Sequence, residues 1–218
     1  MEMWPGIHAL EVSRVVNVYL LTAGPLTLVD AGMPGSLPLL RQALGRVGVS
    51  VEDVRRLILT HGDVDHRGGA AAFVRASGAE VWAHEDEASV IDGRAPSPGP
   101  WARKVVAATW GRRVPSLKVD RLLREGDDLD GYIVRHLPGH TPGHMGLQKG
   151  RALVGGDAVA GGRRPRPSLG LLTWDPARAR DSLARIGTLD VDMLLPGHGT
   201  PFNDASRRCA AMASARSG

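Results

Sequence analysis

Four apolar runs in this chain end the same way, in glycine beside a histidine or an aspartate. They are "VRRLILT" running into "HGDVDHRGG" (54–69), "DGYIVRHLPGH" (130–140), "RALVGGDAV" (151–159) and "DVDMLLPGHG" (190–199). A short apolar run bounded by turn residues reads as a buried strand. Glycine after it lets the backbone turn tightly, so the side chains that follow converge at one sheet edge. The pattern therefore asks for a fold in which several strands deliver polar donors to a common edge. His61, Asp63, Asp65, His66, His140, Asp157 and His198 are the residues delivered. Hard and borderline donors in this number can hold two divalent cations, with one carboxylate shared between them. Surface turns with polar strand caps would not explain the recurrence.

The rest of the chain reads as α/β. Residues 15–21 and 25–32 form an expected antiparallel hairpin around a Thr-Ala-Gly turn, and "SLPLLRQALGRVG" follows as a helix with Ser36 as N-cap. The strand at 54–60 gives way to the helix "AAAFVRASG", which stops at Gly78. Residues 79–84 read as a strand and "EDEASVIDG" as a short helix. "DPARARDSLARIG" (175–187) reads as a helix capped by Asp175 with Pro176 in its first turn, and the last dozen residues as a frayed helix or tail. Residues 92–118 break the rhythm with a Pro/Gly-rich entry, a moderately apolar helix and a further proline, and read as an excursion from the core. Trp101 and Trp110 lie in it, either walling a substrate pocket or packing one helix down. At 218 residues and 43% hydrophobic content, a single domain over 1–218 is expected.

Composition narrows the function. Cys209 is the one cysteine, so no internal disulfide or multi-cysteine zinc site can form, which fits a reducing cytoplasm. "MEMWPGIHAL" lacks a basic and then apolar leader, and no apolar run reaches the roughly 20 residues of a membrane span. A cytoplasmic chain without membrane partners is expected. The formal charge of +4 comes from scattered Lys and Arg, with "GGRRPRPS" (161–168) the only basic cluster. Aromatics are 4% of the chain and do not alternate with basic residues, so nucleic acid is not the expected partner and a small molecule is. Nothing in the sequence specifies an oligomeric state.

The order "THGDVDHRGG", "PGHTPGH", "VGGDAV", "LLPGHG" resembles the metallo-β-lactamase superfamily, nearest its glyoxalase II and lactonase branch, over roughly residues 15–200. "LVDAG" (28–32) fits that family's opening as well. The resemblance implies an αββα four-layer sandwich, two mixed β-sheets with helices on the outer faces. It also implies a dinuclear site. His61, position 63 and His140 would take one ion, Asp65, His66 and His198 the other, and Asp157 would bridge them. Zinc is the usual metal. A metal-bound hydroxide would attack the carbonyl of an ester, thioester or lactone, with Asp65 orienting it. Glyoxalase II binds glutathione through an added C-terminal region, and little chain follows "PGHG" here, so a glutathione thioester is not expected.

Asp63 departs from the family, which usually has histidine there. An ionised aspartate adds a charge and an oxygen donor, so the site becomes harder and iron or manganese gains on zinc. Glutamate at this position belongs to the superfamily's flavodiiron oxygen reductases, and iron-dependent sulfur dioxygenases share the scaffold, so an oxidoreductase is the alternative function. Phosphodiester hydrolysis and a non-catalytic metal-binding role stand further back. Asp is also shorter than His, so the first ion shifts, binds through water or is absent, and Asp63 outside the coordination sphere is a separate possibility. Asp30 is expected to orient a ligating histidine from behind. His144 is expected to form hydrogen bonds rather than ligate, His84 is read as a satisfied histidine, and His8 and His136 carry no motif. Arg163, Arg164 and Arg166 could meet an anionic substrate or lie in a solvated loop.

Overall fold

The structure is a computed structural model and describes residues 1–13, 15–109, 114–168 and 170–215. Trp110 lies outside them. The chain forms two compact units, residues 1–97 with 104–123, and 98–103 with 124–218.

The first unit is built on a seven-stranded mixed sheet in sequence order. Its strands are β1 (Glu2–Trp4), β2 (Ile7–Leu10), β3 (Val18–Leu21), β4 (Thr27–Val29), β5 (Arg56–Leu59), β6 (Glu80–His84) and β7 (Arg121–Leu123). The helices are α1 (Leu37–Gly45), α2 (Val64–Arg67), α3 (Ala70–Ser77), α4 (Glu85–Ile91) and α5 (Trp101–Thr109), which begins on the 98–103 segment. β1 to β4 pair antiparallel, and β4 to β7 pair parallel. β5 lies between two parallel partners, with Leu57, Ile58 and Leu59 buried. An unbroken apolar run is what such a strand requires, because both of its faces are covered. β4, β5 and β6 run the same way, so the residues after them, Asp30 and His61, and His84 at the end of β6 lie at one edge. Leu20, Leu28, Leu40, Leu44, Leu57 and Phe73 anchor the core beneath. α3 ends as expected, with Gly78 in the left-handed region and its N–H on the Val74 carbonyl.

The second unit carries a five-stranded mixed sheet, ordered β14-β11-β10-β9-β8. Its strands are β8 (Asp128–Leu129), β9 (Tyr132–His136), β10 (Met145–Lys149), β11 (Ala152–Gly156) and β14 (Met193–Pro196), beside a small ribbon of β12 (Val159–Ala160) and β13 (Arg166–Pro167). β9 and β11 flank β10 antiparallel and so share a direction, and β14 lies parallel to β11. Their following loops, carrying His140, Asp157 and His198, therefore leave from one edge. Helices α6 (Pro176–Thr188) and α7 (Ala205–Ser214) share a core of Leu153, Leu183, Ile186, Leu194 and Cys209.

The expected α/β class, with two mixed sheets and accompanying helices, is what the chain forms. Asp175 caps α6 as expected, accepting from the Ala177 and Arg178 amides. Other readings are corrected or refined. Ser36 precedes α1 but its side chain makes no capping bond, because its own backbone is already helical. The antiparallel hairpin read at 15–32 is present as β3–β4, and the β1–β2 hairpin that precedes it was not foreseen. β10 and β7 were not foreseen. Of the two readings of the C-terminal residues, helix or tail, the helix holds over α7, Ala205–Ser214, with Cys209 fully buried. Trp101 is 70% exposed, so it does not pack α5 onto a core. Among the described residues, no helix is long and apolar enough to cross a membrane.

Candidate metal centre

In the first unit the candidate donors come from the turn between β5 and α2. His61 and His66 are fully buried, with their rings 4.1 Å apart, while Asp63 and Asp65 are partly open. Asp63 Oδ2 lies 3.5 Å from His61 Nε2, and Asp65 Oδ2 lies 3.9 Å from His66 Nε2. Each carboxylate thus faces an imidazole nitrogen at a separation too long for a strong hydrogen bond and suited to flanking a cation.

The imidazoles are oriented from behind by Asp30, which follows β4 with a positive φ of 62°. It is 2% exposed and accepts from the Thr60 amide at 2.9 Å, from Thr60 Oγ1 at 2.8 Å and from His66 Nδ1 at 2.8 Å. A carboxylate only accepts, so His66 carries a proton on Nδ1 and turns Nε2 toward Asp65. The Thr60 hydroxyl spends its one proton on Asp30, so at 3.0 Å it accepts from His61 Nδ1, which leaves His61 Nε2 facing Asp63. One buried carboxylate therefore holds the Nδ1 proton of both histidines, directly for His66 and through Thr60 for His61. The sequence anticipated Asp30 behind one of them; Thr60 as the relay to the other was missed.

Glycine lets the two segments meet. The Ala31 amide donates to the His66 carbonyl at 2.7 Å, and the Gly69 amide to the Gly32 carbonyl at 3.0 Å. A Cβ on Gly69 would stand 2.3 Å from the Ala31 carbonyl oxygen, so only glycine admits this approach.

In the second unit His140 Nε2 and His198 Nε2 lie 3.6 and 3.3 Å from the same oxygen, Asp157 Oδ2. Asp157 and His140 are buried, and the His198 side chain is partly exposed. His144 braces this group as a hydrogen-bonding residue. Its Nδ1–H donates to the Leu137 carbonyl at 3.1 Å, and its Nε2 accepts the Asp157 amide at 2.8 Å. With the Leu137 oxygen able only to accept, this imidazole is neutral with its proton on Nδ1. The His140 carbonyl accepts from the Trp174 amide and from the buried Arg103 guanidinium, which also donates to the Leu172 carbonyl at 2.6 Å. Arg103 carried no signal in the sequence, because its partners are backbone oxygens distant along the chain.

In each unit imidazole Nε2 atoms face carboxylate oxygens, and the His61 and His66 rings are held through Nδ1, which is the chemistry of histidine–carboxylate cation binding, so the residues fit the divalent metals the motifs imply. The remaining candidates fall elsewhere. His84 caps α4, its Nδ1 accepting the Asp86 amide, and His136 Nε2 donates to the Pro142 carbonyl. His8 pairs loosely with Glu2. Arg163, Arg164 and Arg166 are exposed around the β12–β13 ribbon.

Residues 13–198 match the metallo-beta-lactamase superfamily. The probable metallo-hydrolase YflN of Bacillus subtilis is 30% identical, over 95% of this chain and 89% of its own length. A hydroxyacylglutathione hydrolase of Anaeromyxobacter dehalogenans is 32% identical over 83% of this chain, which spans 60% of that relative. Among solved structures, the metallo-beta-lactamase family protein TTHA1429 of Thermus thermophilus superposes with a TM-score of 0.77 at 25% identity, over 98% of this chain and 80% of its own. TTHA1623, solved in a di-iron-bound form, gives 0.69 at 30% identity, over 88% and 91%. The chain belongs to the metallo-β-lactamase superfamily, with its fold, and is a metal-binding hydrolase.

Proposed function

We propose that the chain hydrolyses a small-molecule ester, thioester or lactone, with His61, Asp63, Asp65, His66, His140, Asp157 and His198 holding two divalent cations. The observation that carries this reading is the pair of imidazole nitrogens, from His140 and His198, facing a single oxygen of Asp157. A carboxylate in that position is suited to sharing between two ions. The relative solved with two irons supports the same count.

Cations held by such donors polarise a carbonyl and bring the pKa of a water toward neutrality. Asp65, partly open beside the buried His66, orients the attacking water and accepts its proton. Asp30 and Thr60 keep both imidazole rings and their Nδ1 protons fixed while that happens, and His144 keeps the Asp157 backbone in place. Zinc suits the four imidazoles, and the oxygen donor at Asp63 widens the choice to iron and manganese. The relative named as a hydroxyacylglutathione hydrolase supports the thioester member of the substrate class. The substrate is a small molecule and not a nucleic acid, and the lone buried Cys209 accords with a reducing compartment such as the cytoplasm.

Chelation followed by reloading with zinc, manganese or iron, assayed on a panel of esters, thioesters and lactones beside a chromogenic phosphodiester, tests this. Hydrolysis of one of the first three classes should return with metal. The oxidoreductase alternative, which Asp63 favours, predicts activity with iron alone and consumption of oxygen; that result overturns the hydrolase reading.

A further inference from the structure

Glu87, on α4, is 1% exposed and has no part in the reaction derived above. A carboxylate buried so deeply costs several kcal/mol unless charges and hydrogen bonds compensate it. Its Oε2 accepts the Gly62 amide at 2.9 Å. The carbonyl of the same glycine accepts from Arg67 Nε at 2.8 Å. Gly62 is thus gripped at both its polar groups, by two side chains of opposite charge, and it is the one residue between His61 and Asp63. The space is tailored to it. A Cβ there would lie 3.1 Å from Glu87 Oε2 and 3.1 Å from Val90 Cγ1. Arg67 extends the grip to the excursion, donating to the Pro115 carbonyl at 3.3 Å. Burial works against the Arg67 charge, and the carboxylates of Asp63 and Glu87 sustain it.

An aspartate reaches less far from its backbone than the histidine usual at position 63, so its use as a ligand demands a backbone held more strictly. We propose that Glu87 and Arg67 are positioning residues that clamp the Gly62 backbone so that the short Asp63 side chain can serve as a cation ligand. The clamp rests on the metal-centre reading above. It also gives the 92–118 excursion a task, because Pro115 anchors one arm of it. The guanidinium beside Asp63 further offsets the charge that aspartate introduces.

The test is a double-mutant cycle read by zinc titration of the full chain, in calorimetry and by metal content. Glu87→Leu and Arg67→Met should each weaken the ion assigned to His61 and Asp63 by about tenfold or more, leaving the second ion within about threefold. Glu87→Gln, whose amide oxygen still accepts the Gly62 N–H, should stay near the parent. In an Asp63→His background, where the longer ligand needs no such help, the same Leu and Met substitutions should change zinc affinity by less than about threefold. Thermal melts of the metal-stripped proteins report folding separately. Equal losses in both backgrounds, or two ions retained at full affinity in every variant, overturn the clamp alone. A parent chain that takes up no zinc, manganese or iron overturns the metal centre and the clamp together.

Discussion

In the first unit the proposed donors His61, Asp63, Asp65 and His66 lie within one strand-to-helix turn, whereas in the second the proposed donors His140, Asp157 and His198 follow the ends of three different strands. The bracing differs accordingly. A single turn fixes the order of its side chains but not their rotamers, and there the support acts on imidazole rings, through Asp30 and Thr60, as well as on the Gly62 backbone, through Glu87 and Arg67. Separate strands set the spacing of their ends by sheet register, and there the support acts on backbone, with His144 on the Asp157 amide and Arg103 on the His140 carbonyl. A donor set thus needs support in whichever degree of freedom its scaffold leaves loose.

The contrast is most exposed to Asp157→Ala, which removes the oxygen that both His140 and His198 face. Metal content should fall and hydrolysis should drop by more than about 100-fold; retention of two ions would show that Asp157 is no bridge. Asp30→Asn comes next. An amide cannot hold both imidazole Nδ1 protons as the carboxylate does, so zinc affinity should fall by about 10- to 100-fold, measured by competition with a chromogenic chelator. If His66 alone depends on Asp30, adding Thr60→Val to Asp30→Asn will cost as much again; full relay through Thr60 predicts that the second change adds little.

His144→Leu should act on the other unit through backbone. Leaving the buried Asp157 amide without its acceptor should lower stability by about 1–3 kcal/mol in denaturant unfolding, with a smaller loss of metal affinity than Asp30→Asn. The reverse ranking would mean that ring orientation is not what the first unit lacks. The smallest effect is expected at Cys209, whose burial in the α6–α7 core pushes its thiol up to about 12. A maleimide at pH 8 should leave the folded chain unlabelled and react once it is unfolded, because the thiolate is the nucleophile. Cys209→Ala should leave hydrolysis unchanged. Rapid labelling of the folded chain would place α7 away from the α6 core.

What could be read along the chain was local. β5 announced itself as an unbroken apolar run, α3 by its alanines and Gly78, and α6 by Asp175 followed by Pro176. β10 was not legible, because "MGLQK" has neither alternation nor a β-branched residue; it is a strand because β9 and β11 hydrogen-bond to it on either side. β7 is three residues long with Leu122 exposed, and β6 beside it is what makes it a strand. Ser36 had the residue type of a cap without its backbone conformation.

Residue order was enough to say which side chains end the strands, because glycine punctuation and apolar runs act over a few residues, and it exposed Asp63 as the departure from its family. What stands behind those side chains came from the folded arrangement alone. Asp30 meets Thr60 and His66 because β4 and β5 pair in parallel, His144 meets Asp157 because β10 turns back onto β11, and Glu87 meets Gly62 because β6 delivers α4 beside that turn. Those contacts join residues between 13 and 36 positions apart. Hydrogen bonds of that span have no local signature, since strand pairing and register determine which distant groups become neighbours.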